Sequence, residues 1–400
     1  MAGHIATQTV TTRYWKLAAL LAALSMVGPF TIDTAFPSFH AIAEDFGLSK
    51  WAVQQTLTAY LLPLSIMSLV QGPASDALGR RPIILAGLCV YTLASVGCTF
   101  APNFATLLIF RALQGTSAGV GMIVGRAVIR DLFEGPQAQK LLSLVTMLFA
   151  FAPAVAPVIG GWIHVTLGWH AVFGFMALFA LSLAIGSYLL LPETHPKEKR
   201  PHLHVATLAR TAWSVVCHRE FLLLAFGMGA NFAALMIFVG AAPSVVVDHW
   251  HLTETEFANL FIPVIGGLIS SAFVSGRMAG RFTYAQQSRL GFMLAMSGSA
   301  VMTLLFATVK APPILIQQFL IAFIAFGVQL AGPTLSLRML DLFPLARGSA
   351  ASVQSCVSIA ISALVFGFIA PVLSDSMLYL AIGSFCSALI GFGLWRLSQH

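Results

Sequence analysis

Residues 15–43 read WKLAALLAALSMVGPFTIDTAFPSFHAIA. The run is long enough to cross a bilayer as one helix, yet it contains Asp33. An ionised side chain at the centre of a membrane helix costs roughly 2.5–3.5 kcal/mol on insertion scales. Charged residues retained at that cost usually have a function, so the stretch predicts a membrane-spanning helix and makes Asp33 the first functional candidate.

The composition places the whole chain in a membrane. Of its 400 residues, 58% are hydrophobic and only 9% are charged, which is not the balance of a water-soluble domain. Twelve apolar stretches approach the ~20 residues that a spanning helix needs, namely 15–43, 51–74, 82–100, 104–127, 141–165, 169–191, 221–247, 257–276, 290–309, 313–337, 348–373 and 377–397. The predicted fold class is an all-α membrane protein with twelve transmembrane helices.

The longest polar segment divides these helices into two sets of six. We predict an N-terminal six-helix bundle at 1–191, a cytoplasmic linker at 192–220 that acts as a solvated tether, and a C-terminal six-helix bundle at 221–400. Transporters built from two similar halves hold their cargo between the halves, near the middle of the bilayer. The organisation therefore predicts a transporter.

Lysine and arginine are distributed unequally between the two sides. With both termini in the cytoplasm, the outside loops contain only Lys50 and Lys310, whereas the inside segments contain nearly all the other basic residues. This is the positive-inside pattern. It accounts for the net charge of +7, so no nucleic-acid partner is predicted.

The sequence lacks the residue patterns of an enzyme. It contains no nucleophile with a paired base, no cluster of metal ligands and no phosphate-binding glycine loop with lysine. The five cysteines show no C-x-x-C spacing, so neither a disulfide nor a structural zinc is expected. We predict no catalytic activity, no metal and no cofactor.

Between the second and third stretches, residues 72–82 read GPASDALGRRP. A turn with one acid and two arginines can form charge-assisted hydrogen bonds to neighbouring helix ends and hold one conformation closed. It resembles the loop signature G-x-x-x-D-R-x-G-R-R of the major facilitator superfamily through Gly72, Asp76, Gly79, Arg80 and Arg81. Ala77 stands where that signature has a basic residue. The resemblance implies a gating role for the five matching residues. The second half has only a partial copy of this loop signature, which lacks the acid and consists of Gly276, Arg277, Gly280 and Arg281.

Further stretches resemble the same superfamily. The fourth stretch has an R-x-x-Q-G pattern at Arg111, Gln114 and Gly115, and LPET at 191–194 follows the sixth. The fifth is similar to the G-P-x-x-G-G antiporter motif, with Ala156 in place of the first glycine and with Pro153, Pro157, Gly160 and Gly161. DTAFP at 33–37 resembles the D-x-x-x-P segment of bicyclomycin and chloramphenicol resistance proteins. The chain is thus similar to the Bcr/CflA group of drug:proton antiporters.

This resemblance implies proton-coupled efflux of small amphiphilic molecules by alternating access. It also implies a monomer in the bacterial inner membrane, driven by the proton gradient, with the prolines and glycines of the fifth stretch acting in the conformational change. A metabolite exporter or importer of the same fold is the main alternative. A membrane scaffold without transport is a further alternative, but it leaves Asp33 unexplained.

Asp33 and Arg111 are the predicted proton-coupling residues. At ~1.5 Å per residue, the two side chains have similar depths in spans that run in opposite directions. Burial favours the neutral form of a carboxyl, whereas an adjacent guanidinium favours the ionised form. An acid that carries protons must therefore change partners during the cycle. The other interpretation is a fixed structural ion pair.

A largely apolar cavity with a few polar groups suits amphiphilic cargo. Side chains of suitable type fall within the predicted spans of both halves. The predicted cavity-lining residues are Met26, Phe30, Tyr60, Gln114, Asn231, Phe238 and Gln329.

Overall fold

The computed structural model describes residues 2–133, 135–200, 205–278 and 280–399, so Pro201 of the predicted linker lies outside the described residues. Within these ranges the chain is helical apart from turns and short loops. We number the twelve long segments as spans 1 to 12: Trp15–Asp45, Lys50–Met67 with Gln71–Leu78, Arg80–Thr99, Phe104–Leu132, Gly135–Leu167, Trp169–Leu190, Arg219–Gly240, Ala258–Met278, Tyr284–Thr308, Ile314–Asp341, Arg347–Leu373 and Met377–Leu397. The predicted all-α membrane fold is confirmed.

Local sequence signals set where several spans begin. Ser49 and Asn103 each accept a hydrogen bond from a backbone N–H in the first turn of the helix that follows. Thr283 and Gln286 form a reciprocal capping box at the start of span 9. The first N–H groups of a helix have no partner within the helix, so these side chains satisfy them.

Two spans in the first half are interrupted. In span 1, the first helix ends at Asp33, a short turn follows, and a 3-10 helix at Phe36–Ser38 leads into the helix Phe39–Asp45. Span 2 bends by 50° between its two helices. The sequence predicts an uninterrupted helix in both places because hydropathy measures apolar length and does not register a break.

Spans 1–6 form the first half of the molecule and spans 7–12 the second half. Span 2 packs against span 11 and span 5 packs against span 8, and these contacts form the two flanks of the interface. Span 1 packs on span 5, whereas span 4 packs on spans 1, 2 and 3. Spans 1 and 4 therefore lie between the flanks, with one side turned towards the second half.

The segment between spans 6 and 7 contains a helix, Val205–Val216. Val215 is completely buried against the second half together with Phe221 and Leu335, while Trp213 is exposed. The linker is therefore not only a solvated tether. Its alternation of apolar and polar residues at helical spacing lets one face pack on the second half.

The bundle has two ends. We call the end that carries the segment between spans 6 and 7 the linker end. The opposite end, which carries the loops 46–49, 100–103 and 241–257, is the far end.

Candidate functional site

Asp33 is the last residue of the first helix of span 1, directly before the break. Its side chain is buried, with 5% of its surface exposed. Among the described residues, no hydrogen bond or ion pair reaches its carboxyl group. A buried carboxylate without a partner is energetically expensive. Asp33 is therefore not held in a structural ion pair with any described residue in this conformation.

Arg111 is completely buried in span 4. Its Nε donates to the carbonyl oxygen of Thr56 at 3.3 Å, and Nη1 donates to Oε1 of Gln114 at 3.0 Å. The guanidinium carbon lies 4.8 Å from the ring centroid of Tyr60 and 5.7 Å from that of Phe173. Its Nη2 has no hydrogen-bond partner within the described residues. Aromatic faces, a carbonyl and an amide thus stabilise this cation without a carboxylate.

Asp33 and Arg111 do not form an ion pair in this conformation. Tyr60 connects their surroundings, because its ring faces Arg111 and its hydroxyl donates to the carbonyl oxygen of Gly28 in span 1 at 3.3 Å. Tyr60 therefore contacts both the cation and the helix that ends at Asp33, and the fixed structural pair does not describe this state.

Gly160 and Gly161 of span 5 contact different parts of the molecule. A Cβ at Gly160 would lie 2.0 Å from the carbonyl oxygen of Thr34, at the break of span 1 beside Asp33. A Cβ at Gly161 would lie 2.3 Å from the carbonyl oxygen of Glu254, in the second half. Only glycine permits either approach. The first glycine fixes span 5 on span 1, and the second lets the halves meet.

The two halves are joined at the far end. Lys50 Nζ lies 2.6 Å from Asp248 Oδ2, and His40 Nε2 lies 3.5 Å from Asp248 Oδ1. His164 Nε2 lies 3.5 Å from Glu254 Oε2. Within the described residues, every ion pair between the halves lies at this end. The structure is therefore closed at the far end.

Buried contacts support the same closure. The ring of Phe36 in span 1 lies 6.2 Å from Phe261 of span 8 and 6.4 Å from Phe366 of span 11. Gln55 Nε2 donates to the carbonyl oxygen of Gly367 at 2.7 Å. Asp33 thus lies on the linker side of a tightly packed apolar seal.

At the linker end, the arginines of the loop signature are held within the first half. Arg80 pairs with Asp76 and, at 3.1 Å, with Asp131. Its backbone N–H donates to Oε1 of Glu193 at 3.0 Å, which caps the start of span 3. Gly79 precedes this helix with φ at +106°, a conformation that favours glycine.

The remaining loop residues have the same local character. Arg81 donates from Nη2 to the carbonyl oxygen of Tyr188 at 2.7 Å and stacks on its ring at 5.3 Å. Gly72 lies against span 4, since a Cβ at this position would lie 3.9 Å from the Ile123 side chain. In the far-end-closed state these charges therefore organise the first half, and no ion pair from Asp76, Arg80 or Arg81 reaches the described part of the second half.

The predicted cavity residues have different environments. Met26 and Phe30 pack with Ala152 and Ala156 of span 5. Gln329 is half-buried in span 10 and has no hydrogen-bond partner among the described residues. The others are buried within one half, namely Tyr60, Gln114, Asn231 and Phe238. Gln114 supports Arg111 and donates to Ser95 Oγ at 2.7 Å.

Sequence reasoning missed two features. The far-end pairs join residues that are distant in sequence, 198 positions apart for Lys50 and Asp248, so no local pattern indicates them. Arg126 lies inside span 4, which continues to Leu132. The predicted stretch ended at residue 127, so this arginine counted only as a charge at the inner boundary. The available signal was that the apolar residues of the stretch 120–132 continue on both sides of Arg126.

Two six-helix halves that meet at one end of the bundle are the architecture of a membrane transporter. A family model described as Major Facilitator Superfamily matches residues 18–367. The chain therefore belongs to the major facilitator superfamily.

The relatives support this membership. The chain is 34% identical over 257 residues to a bicyclomycin resistance protein homolog of Haemophilus influenzae, covering 64% of this chain and 65% of the relative. It is 30% identical over 281 residues to multidrug resistance protein D of Escherichia coli, covering 70% of each. A crystal structure of a D-xylose-proton symporter is similar in fold, with a TM-score of 0.70, 15% identity and coverage of 94% of this chain and 97% of that chain.

These findings confirm the predicted superfamily and the Bcr/CflA drug:proton antiporter type. The protein is a multi-pass transporter of the bacterial inner membrane with a small-molecule substrate, and it is not an enzyme. Transporters of this superfamily generally use ion gradients rather than a cofactor. Within the described residues, no group of three or more His, Cys, Asp or Glu side chains is placed to hold a metal ion.

Proposed function

We propose that this protein exports small amphiphilic drugs in exchange for protons, with Asp33 as the proton carrier. The observation that carries the proposal is the buried Asp33 carboxyl, which has no ion-pair partner among the described residues and adjoins the break in span 1. Such a group is stable in the closed state when it carries a proton. Relatives named for bicyclomycin and multidrug resistance support drugs as the cargo.

The proposed cycle uses two rigid halves, residues 1–191 and 221–400, that rock about the central site. When the far end opens, water reaches Asp33 and the acid takes a proton from outside. When the far end closes, cargo from the linker side displaces that proton. Each unit charge moved through 100 mV contributes about 2.3 kcal/mol, which is enough to drive accumulation of cargo outside the cell.

Arg111 tunes this exchange in the proposal. Its free Nη2 and its cation–π contacts leave it able to accept a new partner when the halves move. The linker end is cytoplasmic, because the basic residues concentrate there, and the protein works as a monomer. Met26, Phe30 and Gln329 border the cargo space, and the loop residues Asp76 and Arg80 act in closing the linker end.

The test is drug-driven proton release from proteoliposomes containing Asp33→Asn. We expect release to be lost, because an amide cannot carry a proton, while the variant still inserts and folds. Asp375→Asn is the matched control, since Asp375 is an exposed acid in the far-end loop before span 12. Chloramphenicol and bicyclomycin serve as cargos.

Undiminished proton release in Asp33→Asn, with the control also active, would remove the carrier role. Imposing the proton gradient in either direction distinguishes the alternatives. An exporter working by antiport moves cargo against the proton flow, whereas an importer working by symport moves cargo with it.

A further inference from the structure

Arg126 lies about six residues, or ~9 Å along the axis, inside the linker end of span 4. Its side chain is exposed although its neighbours Val124, Gly125 and Val128 are buried. An arginine within an apolar span must reach water or a partner, because an unpaired charge there is costly.

The contacts of span 4 show where Arg126 points. Gly121 and Gly125 face span 1, where their nearest neighbours are Leu24 and Leu21. Ile123 faces Gly72 of span 2. With about 100° per residue, Arg126 lies between the face against span 1 and the face against span 2. Since spans 1 and 4 sit between the two flanks of the interface, this direction leads into the space between the halves.

Span 10, in the second half, has one face that is polar but uncharged. In span 10, Thr334 hydrogen-bonds with Ser288 of span 9 at 2.8 Å, which turns Gln329, Gly332 and Ser336 away from span 9. A Cβ at Gly332 would meet nothing within 4 Å. This face of span 10 is therefore open at Gly332, while Ser336 donates to Oε1 of Gln354 in span 11 at 3.0 Å.

Arg126 has no acidic partner in the part of the chain that the structure describes. No carboxylate of the described residues lies within ion-pair distance, and the charged neighbour that acts on it is Arg130, one turn further along. Asp131 is already engaged by Arg80 and by the hydroxyl of Thr194 at 2.9 Å. Two adjacent cations without a counter-charge among the described residues attract an anion, and the planar guanidinium fork fits carboxylate or phosphate oxygens.

We propose that Arg126 binds an anionic group, a carboxylate, sulfonate or phosphate, in the vestibule open to the linker end. The occupant is the acidic group of an amphiphilic cargo molecule or the headgroup of an anionic lipid, which share this chemistry. The cargo form of the proposal rests on the proposed efflux function and adds acidic amphiphiles to its substrate class. If the Arg126 side chain only extends to the solvent at the linker end, it would bind neither the acidic cargo nor the lipid headgroup.

The test compares 2-naphthoate with its neutral analogue 2-naphthamide. Binding to the purified protein is measured by calorimetry in phosphatidylcholine nanodiscs, so transport and proton coupling are not needed. We expect Arg126→Gln to weaken naphthoate binding on the order of tenfold or more and to leave naphthamide binding unchanged. Arg126→Lys should restore part of the preference. Arg289→Gln is the matched control, because it removes an exposed charge from span 9, which packs on span 10 in the second half.

A second arm tests the lipid source. Phosphatidylglycerol that co-purifies with the protein is counted by native mass spectrometry. If the occupant is a lipid, Arg126→Gln should lose the bound phosphatidylglycerol while its affinity for naphthoate is unaffected. The proposal is overturned if Arg126→Gln changes neither naphthoate affinity nor bound phosphatidylglycerol, or if Arg289→Gln causes an equal loss. Either result leaves drug:proton exchange intact, because that function is tested separately through Asp33.

Discussion

Gly161→Ala should shift the protein away from the far-end-closed state. The added Cβ would lie 2.3 Å from the carbonyl oxygen of Glu254 and 3.2 Å from the Cα of Thr255. Both are backbone atoms, so no side chain can rotate to make room. Because Gly161 is in the first half and Glu254 in the second, the clash exists only while the far end is closed.

The size of the effect follows from overpacking. Forcing one methyl group into a close contact costs about 1–3 kcal/mol, and 1.4 kcal/mol changes an equilibrium constant about tenfold. We therefore expect the ratio of far-end-closed to far-end-open molecules to fall by roughly 5- to 150-fold. The change should also raise solvent access to Asp33 from the far end.

Pulsed electron paramagnetic resonance measures this shift directly. Spin labels at Glu44→Cys and Lys310→Cys, in a background without the five native cysteines, report the distance between exposed far-end positions of the two halves. Gly161→Ala should add a longer distance population. Gly160→Ala is the control, because its Cβ would clash with Thr34 inside the first half. It should lower thermal stability without adding that population. Unchanged distances in Gly161→Ala, or the same shift in both variants, would refute the reasoning.

Two further predictions concern ion pairs. Lys50→Ala should weaken far-end closure by about 0.2–1 kcal/mol, because the Lys50–Asp248 pair is partly exposed and screened by salt. The same distance measurement would report this change. Burial alone would raise the pKa of Asp248, but Lys50 outweighs it and holds the pKa below its usual value. The contribution of the Lys50–Asp248 pair is thus present above the ordinary aspartate pKa of about 3.9 and is lost as falling pH protonates Asp248. Arg80→Ala should lower the free energy of unfolding by about 1–3 kcal/mol, because Asp131 loses its cation. The control is Arg347→Ala, which breaks the exposed Arg347–Asp341 pair at 3.4 Å and should lower the free energy of unfolding by less than about 1 kcal/mol. Equal losses of the two variants in thermal melts would contradict the role of Arg80.

Part of the candidate site could be predicted from the sequence because its signals are local. Asp33 stands out against the apolar residues around it, and the loop at 72–82 is a contiguous motif whose charges indeed cluster. Arg111 was identified for the same reason. Its surroundings were not, since Tyr60 and Phe173 come from other spans.

The sequence by itself determined that the chain enters a membrane as two sets of six helices, because hydropathy and charge are sums over consecutive residues. These sums do not depend on the direction in which each side chain points. It did not determine which way each helix is rotated about its axis. That rotation is fixed by side-chain packing between spans distant in sequence. Only the tertiary structure therefore decided that Gly160 meets span 1 while Gly161 meets the second half, and that Asp33 lies buried apart from Arg111.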